Sequence, residues 1–115
     1  MFTLEITESA ERDLAGITDY LGVQLANPPA AVALLDEIDS VGTALEVNPE
    51  LFPLCRDSRL ADLGYRKALV KAYVMIYDID AVCGVVRILR FFHTSEDYVK
   101  KLWPFGRGGA TRRCG

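Results

Sequence analysis

The N-terminal part of the chain shows the apolar spacing of one strand followed by one helix. Phe2, Leu4 and Ile6 alternate with polar residues, which is the period of two expected for a half-buried strand. Apolar residues then recur at spacings of three and four, the pattern of an amphipathic helix of about seventeen residues. These residues are Ala10, Leu14, Ile17, Leu21 and Leu25. The pattern predicts a strand that leads directly into a long helix, with Thr7 as the N-cap of the helix.

A second helix is predicted after the break Asn27-Pro28-Pro29. Asn27 is a suitable N-cap, and Pro28 suits the first position of a helix. The next apolar stripe ends at Asn48-Pro49, because a proline disfavours helical geometry in the residue before it. The stripe consists of Ala31, Leu34, Leu35, Ile38, Val41 and Leu45. Two helices joined by so short a break are expected to form an antiparallel hairpin.

The second half of the chain changes to β-favouring residues. Residues 51–63 have no clean period and are predicted to be an irregular loop. Strands are predicted over 65–70, 73–79 and 85–92, where β-branched and aromatic residues are frequent. The apolar run 74–76 is typical of a central strand that is covered on both faces.

The predicted elements define the fold class. Thr94 is expected to cap a last short helix that contains Tyr98. The order is then β-α-α-β-β-β-α, an α+β fold in which an antiparallel sheet of about four strands packs on the N-terminal helical hairpin. The other face of this sheet is expected to be free, concave and basic.

Length and composition predict one domain over residues 1–103, followed by a disordered, basic and glycine-rich tail over 104–115. Neither an export signal nor a membrane-spanning apolar run is visible, so a soluble cytoplasmic protein without membrane association is expected. Three cysteines without paired CxxC spacing are interpreted as reduced thiols, with neither a disulfide nor a metal. No cofactor is expected.

Charge divides the chain into two unlike halves. The net charge is only −3, which argues against a general nucleic-acid binder. Residues 1–50 contain ten acidic side chains and one basic one, whereas residues 51–115 contain six acidic and twelve basic ones. Five of the basic residues lie in the predicted strands or their turns, just before the only histidine, His93. They are Arg66, Lys67, Lys71, Arg87 and Arg90.

Four segments in order give the chain a family resemblance. They are TESAERDLAGITDYL, PELFPL, GYRKALVKAYVMIYDID and VRILRFFHTSEDY. Over about residues 2–102 the chain resembles the RelE/ParE superfamily of bacterial toxins from type II toxin–antitoxin modules. The resemblance implies a small toxin that is neutralised by a cognate antitoxin, whose C-terminal segment wraps across it. It also implies one of two targets. RelE-like members cleave mRNA in the ribosomal A site without a metal, and ParE-like members poison DNA gyrase.

RNA cleavage without a metal needs a proton-transfer group and cations around one phosphate. Histidine suits proton transfer near neutral pH, so His93 is the acid/base candidate. The alternative is that His93 caps the last helix or bonds the backbone at the strand end. Arg66, Arg87 and Arg90 are the candidates for phosphate contact. Strand alternation places Arg87 on the face of His93 and Arg90 on the opposite face, unless a bulge reverses this.

Lys67 and Lys71 are expected to bind the antitoxin or the target. Two features oppose a nuclease: Asp78 follows Tyr77 at a point where ribosome-dependent relatives have an arginine, and the isoelectric point is about 5.1. His93 nevertheless favours ribosome-dependent mRNA cleavage as the sequence-based prediction. Gyrase inhibition is the close alternative, and a module that keeps the fold without activity is the third.

Overall fold

The computed structural model describes residues 1–102, and the tail predicted over 104–115 lies outside these residues. Helices and strands follow the predicted order with one short helix added. They are β1 (Thr3–Ile6), α1 (Glu8–Asp19) with a π-helical extension (Tyr20–Gln24), α2 (Pro28–Val47), α3 (Ser58–Asp62), β2 (Arg66–Val70), β3 (Tyr73–Asp80), β4 (Val85–His93) and α4 (Tyr98–Leu102).

Side-chain caps start both long helices where the sequence predicts them. The Thr7 hydroxyl accepts a hydrogen bond from the Ala10 amide at 3.2 Å and donates one to the Leu89 carbonyl at 3.1 Å. The Asn27 side chain accepts from the Ala30 amide at 3.3 Å. These bonds satisfy amides that a helix leaves unpaired in its first turn. The Thr7 bond also fixes the start of α1 against the sheet.

The sheet has the strand order β1-β4-β3-β2. β3 is antiparallel to both β2 and β4, as predicted. β1 pairs with β4 in parallel, from Thr3 opposite Val85 to Ile6 opposite Ile88. The α+β fold class is confirmed, but the sheet is mixed rather than entirely antiparallel. Parallel neighbours need a long crossover, and here everything between β1 and β4 lies in that crossover.

Both faces of the sheet are covered. On one face, Met75, Tyr77 and Ile88 pack with Leu34 and Leu45 of α2. On the opposite face a second cluster unites strand residues with α3, α4 and the segment before β2. This cluster contains Cys55, Leu60, Tyr65, Val74, Ile76, Phe92 and Leu102. Coverage of the central strand on both faces is therefore confirmed, and the prediction that the second face is free of other elements is wrong.

Two local predictions fail for the same reason, an aspartate cap. Asp57 accepts hydrogen bonds from the Arg59 and Leu60 amides and begins α3 inside the predicted loop. Asp97 accepts from the Lys100 amide at 3.2 Å, so α4 starts at Tyr98 and Thr94 is not its cap. Both short helices bury one leucine over the sheet, and this burial is what covers the second face.

Two further predictions from the sequence concern the cysteine thiols and the lack of a membrane-spanning segment. Cys55 is a free and buried thiol, as predicted. Within residues 1–102, no helix is long and apolar enough to cross a membrane.

We expect the folded protein to lose stability in alkali. Burial raises the pKa of the Cys55 thiol from 9.0 to about 11, against an opposing effect of Lys67. Burial also raises the pKa of the Tyr65 and Tyr77 hydroxyls. A raised pKa means that the unfolded chain ionises first. The stability that the protonated Cys55 thiol contributes to the folded state is therefore fully present below pH 9 and is lost as the pH approaches 11.

Urea unfolding measured across this pH interval tests the expectation. For Cys55 alone the loss is about 2 kcal/mol. The variant Cys55→Ala is the control, because it lacks the thiol and shows a correspondingly shallower decline. Equal declines in the two proteins would contradict the assignment of this loss to Cys55.

Candidate functional site

A bulge in β4 decides which face each candidate side chain occupies. Tyr77 is paired with Ile88 and the preceding Ile76 with Arg90, so Leu89 is an extra residue without a partner on β3. An extra residue reverses the alternation of side chains beyond it. Arg87 and Arg90 therefore share the face of the second cluster. His93 is paired with Tyr73 and lies on the opposite face, which packs against α2. The prediction that Arg87 shares a face with His93 is wrong.

Arg87 lies inside the protein, bonded to a carboxylate. It is 6% exposed, and Asp78, directly opposite on β3, is 7% exposed. Arg87 Nε donates to Asp78 Oδ1 at 3.0 Å, and Nη2 donates to Oδ2. Asp78 therefore binds Arg87, a residue predicted to contact phosphate, through two hydrogen bonds. This arrangement holds the guanidinium in the sheet rather than at a surface.

Arg90 is held by Asp13 of α1. Its Nε donates to Asp13 Oδ2 at 2.6 Å and its Nη2 to Oδ1 at 3.2 Å. The same carboxylate accepts the Phe91 amide at 3.0 Å. Asp13 thus continues the edge pairing of β4 beyond the last residue of β1. Sequence reasoning missed Asp13, because an acid on an acid-rich helix looks like any solvated side chain.

Arg66 also bonds within the fold. Its Nη1 donates to the Phe52 carbonyl at 2.7 Å, and Nη2 lies 3.9 Å from Glu50. Arg66 is paired with Tyr77, whose hydroxyl donates to the Pro49 carbonyl at 2.9 Å. These two side chains fasten the segment after α2 to the sheet.

The second face carries two stacked aromatic rings with a cation at each end, which we call the cation–aromatic strip. Lys67 Nζ lies 5.5 Å from the Tyr98 ring centre. The Tyr98 and Phe92 rings stack at 6.3 Å. The Arg90 guanidinium lies 4.8 Å from the Phe92 ring centre. Cations attracted to ring faces in this way stay ordered while remaining partly accessible. Sequence reasoning identified the two cations but missed both rings as their partners.

His93 and Lys71 lie elsewhere, at an open groove of about 710 Å³ that we call the hairpin groove. His93 Nδ1 accepts the Ser95 amide at 3.1 Å, which is the backbone bond that the alternative for His93 predicted. With Nδ1 as acceptor, the neutral ring has its proton on Nε2. The ring also meets Tyr73 edge-on, with centres 5.4 Å apart. The rest of the groove is lined mainly by Ile17, Tyr20, Leu21, Leu25 and Leu34.

The six candidate residues are therefore in three places. Lys67 and Arg90 lie in the cation–aromatic strip, and Lys71 and His93 lie at the hairpin groove. Arg66 and Arg87 are bonded within the fold. No group of three or more histidine, cysteine, aspartate or glutamate side chains within residues 1–102 is arranged to hold a metal ion.

Two solved structures of toxin–antitoxin systems have a fold similar to that of this chain. A chain of the chromosomal ParDE TA system from P. aeruginosa superposes with a TM-score of 0.63 at 21% identity, covering 81% of this chain and 96% of that one. A chain of the RelBE2 toxin–antitoxin complex from Mycobacterium tuberculosis gives a TM-score of 0.55 at 26% identity, covering 80% and 96%. No curated protein sequence matches significantly. The fold is that of the RelE/ParE superfamily of toxins.

The family follows from the sequence match. A family model described as the ParE toxin of the type II toxin–antitoxin system parDE matches residues 4–98. This chain belongs to that family, and the predicted resemblance is confirmed. It is a toxin-family protein of a type II toxin–antitoxin system.

Proposed function

We propose that this protein arrests growth by inhibiting DNA gyrase and not by cleaving RNA. The observation that supports the proposal is the separation of the candidate nuclease groups. Arg87 and Arg90 are bonded to Asp78 and Asp13 on one face of the sheet, whereas His93 lies on the other. Cleavage of a phosphodiester needs base and cations converging on one phosphate. An inhibitor needs only a complementary surface.

Ribosome-dependent mRNA cleavage is the second candidate. In the form predicted from sequence, His93 is the acid/base and Arg66, Arg87 and Arg90 contact phosphate. The observation in its favour is the cation–aromatic strip, in which Lys67 and Arg90 flank two stacked rings. Phe92 is buried, so Tyr98 is the ring on which a base could stack, and the neighbouring cations suit a phosphate.

One pair of reactions separates the two candidates. We expect purified protein to abolish supercoiling of relaxed plasmid by gyrase and to leave mRNA intact in a reconstituted translation reaction. His93→Ala is expected to inhibit gyrase as well as the parent does, since no proton transfer is involved. Codon-phased mRNA breaks that disappear in His93→Ala or Tyr98→Ala would overturn the proposal. A protein inert in both reactions would support the inactive module.

We further propose an antitoxin as the partner. Both similar structures are toxin–antitoxin systems by their descriptions, and such partners bind through segments that fold on contact. Expression of this chain alone is expected to stop growth, and co-expression of the short gene beside it is expected to restore growth. Both candidate targets are cytoplasmic, so we infer that the protein acts in the cytoplasm without cofactor or membrane.

A further inference from the structure

We propose that the hairpin groove is a binding site for a small carboxylic acid with an aliphatic chain, a ligand of the fatty-acid class. The carboxylate is bound at the end of the groove where Tyr73 and His93 lie, and the chain lies against the helices. This site is separate from the cation–aromatic strip, and the inference does not depend on which target the protein inhibits.

The Tyr73 hydroxyl is the observation that points to a ligand. Tyr73 is only 9% exposed and lines the groove, yet its hydroxyl forms no hydrogen bond with any group of residues 1–102. Tyr77, which packs on the same face of β3, is fully buried and donates to the Pro49 carbonyl at 2.9 Å. Buried tyrosine hydroxyls normally have such a partner. The Tyr73 hydroxyl is therefore available to donate to an acceptor from outside the chain.

His93 provides a second donor at the same end of the groove. Its ring meets the Tyr73 ring edge-on, with centres 5.4 Å apart. Nδ1 is occupied by the Ser95 amide at 3.1 Å and the Ser95 hydroxyl at 2.8 Å. The proton of the neutral ring is therefore on Nε2, which has no hydrogen-bond acceptor within residues 1–102. Two donors without acceptors favour a ligand whose head group consists of acceptor oxygens.

The charge at this end of the groove distinguishes a carboxylate from a neutral head group. Glu96 is the one acidic residue among the described lining residues. Its Oε2 lies 2.9 Å from Lys101 Nζ, and its Oε1 accepts the His93 amide at 3.4 Å. Lys71 also lines the groove and forms no ion pair within residues 1–102. Because Lys101 offsets the charge of Glu96, the net charge here is positive and complements a carboxylate.

The rest of the groove suits an aliphatic chain. Residues 20–35, which form the end of the helical hairpin, contain no charged side chain. The groove volume of about 710 Å³ is in the range of small-molecule sites, which are mostly apolar with a few polar groups that orient the ligand. The aliphatic lining residues are Ile17, Leu21, Leu25 and Leu34. The ligand therefore has one anionic end and one apolar end.

Binding of octanoate to the full chain tests the inference. We expect octanoate to bind and to raise the Tm of the parent. Octan-1-ol has the same chain without the carboxylate and is expected to bind about tenfold more weakly. Tyr73→Phe is expected to weaken octanoate binding about tenfold. Its Tm without ligand is expected to equal that of the parent, because the lost hydroxyl has no hydrogen bond within residues 1–102. Titration calorimetry and thermal unfolding provide the two measurements.

Matched variants separate binding from folding. Tyr77→Phe removes a hydroxyl that is bonded within the fold, so it is expected to lower Tm and to bind octanoate like the parent. Leu25→Ala removes a half-exposed side chain from the groove lining and is expected to weaken binding about threefold. Val23 belongs to the same uncharged segment but does not line the groove. Val23→Ala is therefore expected to bind like the parent.

Any of four results would overturn the inference. The first is that octanoate neither binds the parent nor raises its Tm. The second is that Tyr73→Phe binds octanoate like the parent, which would place the ligand elsewhere. The third is equal binding of octanoate and octan-1-ol, which would exclude recognition of a carboxylate. The fourth is self-association of the chain that Leu25→Ala abolishes, which would make a second copy the occupant of the groove.

Discussion

Arg87→Met is expected to lower the free energy of unfolding by about 3–5 kcal/mol, because it removes the guanidinium that forms two hydrogen bonds to the buried Asp78 carboxylate. The two groups are each less than a tenth exposed. Removing one member of a buried ion pair is strongly destabilising, because the charge that remains is buried and has lost its counter-ion's attraction. Urea unfolding at neutral pH measures the loss, provided that the denaturant dependence is unchanged.

A matched ion pair on the surface shows whether burial is the cause. Arg12 and Glu8 approach to 3.0 Å with side chains that are 73% and 85% exposed. Arg12→Met is expected to change stability by less than about 0.5 kcal/mol. If Arg87→Met costs no more than this, burial of the ion pair does not determine its effect on stability and the expectation is wrong.

The double variant Asp78→Leu with Arg87→Met completes the test. Replacing both members of a buried pair with apolar groups removes the uncompensated charge, so most of the lost stability is expected to return. A double variant as unstable as Arg87→Met would indicate that packing, rather than charge, sets the cost at this position.

Asp13→Ala is the second large effect that we expect, at about 2–3 kcal/mol. One carboxylate accepts the Phe91 amide and two bonds from Arg90. Alanine leaves the amide of a buried strand residue and a half-buried guanidinium without this acceptor. Urea unfolding again provides the measurement.

Asp13→Asn separates the two contributions. Its side-chain oxygen still accepts the Phe91 amide, but the charge opposite Arg90 is gone, so we expect about half of the alanine effect. Asp19→Ala, an exposed residue near the end of the same helix, is the control for a general effect of removing an acid and is expected to be near neutral. Equal losses in Asp13→Ala and Asp19→Ala would refute a specific role for Asp13.

Most of the fold was predictable because its signals are local. Apolar spacing located the two long helices, and Thr7 and Asn27 marked their starts, as the structure confirms. The short helix α3 was missed, and α4 was predicted but with Thr94 instead of Asp97 as its cap. Five residues are too few for a periodic pattern, and their stability comes from burying Leu60 and Leu102 against the sheet.

The site was less predictable because it depends on strand register. A single extra residue, Leu89, moves Arg90 and His93 to faces opposite to those that simple alternation gives. The sequence contains no glycine or proline there to indicate a bulge. Partners across the fold, such as Asp13 for Arg90, are equally invisible, since 77 positions separate them along the chain.

The hydrogen bonds that Thr7 and Asp13 make to β4 also affect whether another chain can pair with the edge of the sheet. An exposed strand edge invites pairing with another chain. Beyond β1, the Thr7 hydroxyl occupies the Leu89 carbonyl and Asp13 occupies the Phe91 amide, so a foreign strand finds these groups already bonded. At the far edge, the Pro53 carbonyl accepts the Lys67 amide in the same way. The helix and the loop of this chain thus occupy part of the strand edge, at β4 beyond β1 and at β2 near Lys67, where another chain could otherwise pair.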